Sequence, residues 1–165
     1  MAKAPHDDER DRLLRDGSAA YRHYISAEVL SSHATAEAVG LNATDFFCLN
    51  LLALAGPQTV GQLAQRTRLT TGSATRMIDR LERAGFVRRD RHPSDRRQVV
   101  VEVTGGREDE INSVLEPVRR RMYAVFQRYD AEQVRVLLDY FDHAAPALLA
   151  AVEELRNRNI EDPDQ

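Results

Sequence analysis

At Gly85 the periodicity of this chain changes. Upstream, from Thr70 to about Ala84, apolar residues return at Ala74, Met77, Ile78 and Leu81, the three-and-four spacing of one narrow helical stripe. Downstream, Phe86-Val87-Arg88-Arg89 and Gln98 to Val103 read as two short β segments, the second with Val99, Val101 and Val103 alternating. Between them, His92-Pro93-Ser94-Asp95 carries turn chemistry. Thr70 can cap the helix at its start, and Gly85 sits where a left-handed C-terminal stop is wanted. A short capped helix followed at once by a two-stranded hairpin leaves few folds open.

The segments before it narrow the choice. Asn42 can cap a helix with Asp45 three residues on, and Phe46, Phe47, Leu51 and Leu54 mark its expected buried side before Gly56-Pro57 ends it. Thr59 and Gln62 have capping-box spacing for a helix from Val60 to about Arg66, with Val60, Leu63 and Ala64 facing inward. Two short helices, a tight connection and a hairpin form the order of a winged helix-turn-helix.

Long helices flank this core. Residues 8–38 place Leu13, Leu14, Tyr21, Tyr24, Ile25 and Val29 at helical spacings, with Gly40 as the stop. After Thr104, a cap candidate, comes a helix using Ile111, Val114, Leu115, Val118, Met122, Val125 and Phe126. A last helix follows with Val134, Leu137, Leu138, Phe141, Leu148, Leu149, Val152 and Leu155. Pro117 and Pro146 fall inside these two patterns and should bend or break them. The fold expected is mainly α with a small β-hairpin wing. A winged helix-turn-helix domain over 42–104 is flanked by a helical dimerisation region, 8–38 and 105–158, and a frayed acidic tail over 159–165. A stripe as broad as that of the last helix calls for a partner, and a homodimer is the economical one.

Charge points to the partner of the core. The chain carries a net charge of −3, which by itself argues weakly against nucleic acid. Residues 61–107, however, hold 11 arginines against five acidic residues, a local balance of +6, which leaves −9 for the rest. A basic block inside an acidic chain is an electrostatic footprint for phosphates. A solvated arginine face is the bland alternative, and the pattern within the block decides against it. Thr70, Thr71, Gly72, Ser73 and Thr75 keep the helix start small and polar, while Arg76 and Arg80 lie four apart on the face away from Met77 and Ile78. That is what entry of a helix end into the major groove requires. Arg88, Arg89, Arg91, Arg96 and Arg97 surround the turn of the hairpin, where arginine suits the electronegative minor groove. Asp95 is placed to orient Arg96.

Other chemistries find little support. There is no glycine-rich phosphate loop, nucleophile elbow or distinctive carboxylate pair, so neither catalysis nor a cofactor is expected. His6, His23, His33, His92 and His143 have no zinc-ligand spacing, and no metal is expected. Cys48, the single cysteine, excludes an internal disulfide and reads as a packed core residue. No apolar run approaches a membrane span and the N-terminus is charged, so a cytoplasmic protein without membrane contact is expected.

The run from Thr59 to Thr104, TVGQLAQRTRLTTGSATRMIDRLERAGFVRRDRHPSDRRQVVVEVT, resembles the winged-helix core of the MarR family of bacterial transcription regulators. LERAGFVRR and PSDRRQVVVEVT are its most specific pieces, the latter matching an Asp-x-Arg wing signature. Gly105-Gly106-Arg107 departs from the Thr-x-x-Gly usual there. The resemblance implies a homodimer on a palindromic operator, acting as a repressor or occasionally an activator. It implies major-groove contacts from Thr70, Thr71, Ser73, Thr75, Arg76 and Arg80, and wing contacts from Asp95, Arg96 and Arg97. Family members often respond to small aromatic molecules held between the dimer helices and the winged domain. Tyr21, Tyr24, Phe46 and Phe47 are candidates to line such a pocket, with core packing as the default for each. The alternative from another class is a winged module that binds protein instead of specific DNA.

Overall fold

A computed structural model describes residues 5–91 and 98–161 of the chain, with side chains over 8–91 and 98–157. In chain order the elements are α1 (Pro5–Ala38), α2 (Ala43–Ala55), β1 (Gln58–Thr59), α3 (Val60–Thr67), α4 (Thr71–Arg83), β2 (Val87–Arg91) and β3 (Val99–Val103). A 3-10 turn (Gly105–Arg107), α5 (Glu108–Phe126) and α6 (Ala131–Glu161) complete it. The described chain divides into two compact units after Pro117. Neither Pro117 nor Pro146 breaks its helix, contrary to one of the two outcomes expected of each.

The first unit is built from local signals that the structure realises. The Asn42 side chain accepts from the Asp45 N–H at 2.9 Å. Thr59 and Gln62 form the reciprocal capping box at the start of α3, satisfying two N–H groups that a helix end otherwise leaves unpaired. Thr70 caps α4 by accepting from the Ser73 N–H. Gly40, Gly56 and Gly85 all have φ near +75°, and Gly85 supplies the tight exit from α4 into β2.

The core of this unit gathers Ala36 at the end of α1, Val39 and Leu41 just after it, one face each of α2, α3 and α4, Phe86, and the strand residues Val87 and Val101. On α4 the buried residues are Ala74, Met77, Ile78 and Leu81, the stripe legible in the sequence. On α2 they are Asp45, Phe46, Cys48, Leu49 and Leu52. The expected face is therefore corrected. Leu54 is 87% exposed, Phe47 is exposed and Leu51 is only half-buried. Helix α2 is apolar nearly all round, so its own periodicity does not say which side turns inward.

The sheet has three strands, not two. β1 pairs with β3 (Gln58 opposite Val101, Thr59 opposite Val100), giving the antiparallel order β1-β3-β2. β2 and β3 form the hairpin in the register Val87–Val103, Arg89–Val101 and Arg91–Val99. As the central strand, β3 buries both Val100 and Val101 instead of alternating cleanly. Thr104 does not cap the next helix; its hydroxyl donates to the Gly85 carbonyl at 2.5 Å.

Over most of its length α1 leaves Leu13, Leu14, Tyr21, Tyr24, Ile25 and Val29 exposed. In the second unit, α6 likewise exposes Leu138, Phe141, Leu148, Leu149, Val152 and Leu155. It continues through Glu161, into the stretch expected to fray; residues 162–165 lie outside the described residues.

Candidate nucleic-acid interface

The helix-turn-helix consists of α3, a turn and α4. Arg68 adopts a left-handed conformation (φ 62°), and the Leu69 N–H donates back to the Ala64 carbonyl, which reverses the chain in three residues. With its apolar stripe buried, α4 turns Thr71, Gly72 and Arg76 outward. The hydroxyls of its first turns are tied locally. Thr70 Oγ1 donates to Ser73 Oγ at 3.1 Å, and Thr75 Oγ1 donates to the Thr71 carbonyl at 2.9 Å. Arg76 Nη2 donates to Ser73 Oγ at 3.0 Å, so its guanidinium lies back along the start of the helix. Thr70 Oγ1 and Thr75 Oγ1 keep acceptor capacity beyond these bonds, whereas Ser73 Oγ, which accepts twice, keeps its own hydrogen to donate.

Arg80 is arranged differently. Its Nε donates to Asp45 Oδ2 at 2.9 Å and its Nη2 to Asp45 Oδ1 at 2.6 Å, a forked pair across 35 residues of sequence. Asp45 is 2% exposed, whereas the Arg80 side chain is 46% exposed. The hydrogen bond and charge of Asp45 raise the Arg80 pKa against the opposing pull of burial. Asp45 escaped sequence reasoning as a functional residue. Its one local signal, the position three after Asn42, is explained by the helix cap and does not reveal the arginine.

The hairpin arginines divide into two kinds. Arg88 pairs with Glu102 directly across the strands, Nε to Oε1 at 2.7 Å. Arg89 forks between Glu82 and Asp79 of α4, reaching Asp79 Oδ1 at 2.6 Å, while its backbone N–H donates to Glu82. Desolvation lowers the Arg89 pKa, but the two carboxylates outweigh it and the net shift is upward. These two guanidiniums are therefore held by the fold itself, Arg88 tying β2 to β3 and Arg89 bracing β2 on α4, where the sequence suggests a wing of five available arginines. Arg91 is exposed. Asp95, Arg96 and Arg97, with the turn His92-Pro93-Ser94, lie outside the described residues.

The four aromatic candidates for a ligand pocket are not equivalent. Phe46, at 4% exposure, belongs to the core, in line with the default of core packing. Tyr21, Tyr24 and Phe47 are exposed in the chain, and for them that default is overturned. Cys48 is fully buried; desolvation, reinforced by the charge of Asp45, pushes its thiol up to about 11, so it has no reactive thiolate near neutral pH. Among the described residues no cluster of metal-ligating side chains occurs, and no single helix is long and apolar enough to cross a membrane.

Comparison with known proteins converges on one family. The family model described as "MarR family" matches residues 41–99. An uncharacterized HTH-type transcriptional regulator of Bacillus subtilis, YcgE, is 32% identical over 147 residues, spanning 89% of this chain and 96% of that one. The HTH-type transcriptional regulator MT0903.1 of Mycobacterium tuberculosis is 38% identical over 110 residues, or 64% of this chain and 71% of that protein. Among solved structures, a MarR family protein from Bacillus stearothermophilus superposes with a TM-score of 0.65 at 21% identity, covering 84% of this chain and 97% of that one. At that identity the structural likeness speaks for the fold.

Proposed function

This chain belongs to the MarR family of winged helix-turn-helix transcriptional regulators, and from that premise we propose that it acts as a homodimeric repressor on a palindromic operator. The observation that carries the DNA reading is the division of α4: four apolar residues are buried, while Thr71, Gly72 and Arg76 stand exposed at the end meant for the groove. In this reading Thr70, Thr71, Ser73, Thr75 and Arg76 meet base edges and nearby phosphates. Arg80 meets the backbone, and Asp95, Arg96 and Arg97 of the wing serve the adjacent minor groove. The exposed apolar residues of α1 and α6 support pairing with a second copy, since exposure of that extent is costly on an isolated chain. A small aromatic effector completes the proposal, with Tyr21, Tyr24 and Phe47 as its surface candidates and Phe46 set aside as core.

The test is a gel shift with random-sequence duplex DNA over a salt series. Binding at low salt that weakens steeply as salt rises is expected, because each neutralised phosphate releases counterions. No shift even at low salt would favour the protein-binding alternative.

A further inference from the structure

Asp45, the one acid buried among the described residues, forms a forked pair with Arg80 of the recognition helix. Asp45 sits in the first turn of α2, beneath the recognition helix, and spends both carboxylate oxygens on Arg80. The bonds use a single edge of the guanidinium, the side made by Nε and Nη2. A guanidinium has a second edge, formed by Nη1 and the other Nη2 hydrogen, with two parallel donors matched to a pair of phosphate oxygens. Among the described residues, no hydrogen bond engages Arg80 Nη1. Free arginine side chains lose rotamer freedom when they dock, whereas Arg80 has already been ordered by the fold.

We propose that Asp45, itself buried, is a positioning residue for DNA binding: it grips one edge of the Arg80 guanidinium so that the opposite edge is presented, pre-ordered, to a backbone phosphate. The proposal rests on the DNA-binding reading above. It makes a counterintuitive demand. Removing an acid beside DNA ordinarily tightens binding by relieving repulsion. Removing Asp45 must weaken it.

The experiment uses the full-length chain and a duplex selected from a random pool by the wild-type protein. Binding is measured for wild type, Asp45→Asn, Arg80→Ala and the double variant, with thermal melting of each to confirm folding. Asp45→Asn is expected to weaken binding roughly three- to ten-fold, and Arg80→Ala roughly ten-fold or more with the salt slope reduced by about one. In the Arg80→Ala background Asp45→Asn should have no further effect on affinity. A merely structural role would instead cost affinity equally in both backgrounds, and that result overturns the proposal. Unchanged or tighter binding by Asp45→Asn overturns it as well. Should Asp45→Asn fail to fold, Arg80→Lys replaces it: lysine keeps the charge but lacks the planar guanidinium that can face Asp45 and a phosphate on two edges at once, so a several-fold loss is expected and wild-type affinity refutes the idea. Failure of the wild type to bind any duplex would instead refute the DNA reading, and the inference with it.

Discussion

The guanidinium carbon of Arg107 lies 4.1 Å from the centroid of the Phe86 ring. Its Nη1 donates to the Ala84 carbonyl at 3.1 Å, and Nε and Nη2 fork onto Glu110 at 2.6 and 2.5 Å. One side chain thus satisfies a carbonyl at the exit of α4, covers a core aromatic and ties both to the first turn of α5. This occurs at Gly105-Gly106-Arg107, with Thr104 bonding Gly85 beside it.

Arg107→Ala should therefore lower stability by about 1–2 kcal/mol, combining a partly exposed cation–π contact with a lost bond at the end of a helix. Urea denaturation measures it. A midpoint equal to wild type would show that Phe86 and Ala84 gain nothing from the arginine.

Cys48 makes stability depend on alkaline pH. Its folded pKa of about 11 exceeds the ordinary 9.0, so the folded state holds this proton more tightly than the unfolded state does. The contribution is fully present below pH 9 and is lost as pH rises towards 11, by about 2–3 kcal/mol at most. Cys48→Ala should start lower because it opens a cavity, yet lose less stability than wild type between pH 9 and 11. Parallel curves for the two proteins would contradict this account. Native Cys48 should also resist alkylation at pH 7.5 until the chain is unfolded.

The groove and the wing should respond differently to substitution. Thr71→Ala or Arg76→Ala should change which duplex sequence is preferred, by about 1–3 kcal/mol at the affected position. Arg96→Ala should weaken binding to all sequences by roughly the same amount and reduce its salt dependence. Equal losses on selected and random DNA for the first two variants would remove base readout from the start of α4.

Sedimentation at micromolar concentration should find a dimer of the 18.7 kDa chain, stable to dilution. A compact, well-folded monomer would leave the apolar residues of α1 and α6 unexplained and would remove the two-fold match to a palindrome.

Phe46 and Phe47 mark the reach of hydrophobic patterning. Adjacent and chemically identical, they share one expected buried face, yet one is core and the other is surface. Hydrophobic periodicity orients a helix only when apolar residues occupy one side. In α4 they do, and the burial of Ala74, Met77, Ile78 and Leu81 is legible in their spacing alone. In α2 nearly every side is apolar, and the neighbours choose.

What the sequence alone determined is what acts within a few residues. The caps at Asn42, Thr59 and Thr70, the stop at Gly85, the order of helices and hairpin, and the basic character of 61–107 all follow from local hydrogen-bonding geometry and composition. Tertiary structure decided which charges are spent inside the fold. Asp45 reached Arg80, Arg88 met Glu102, Arg89 met Asp79 and Glu82, and the two-residue β1 found β3. Any arginine in a basic segment has several acids it could meet. Which one it meets depends on how separate elements pack, across as many as 35 residues for Asp45 and Arg80, and no local pattern encodes that packing.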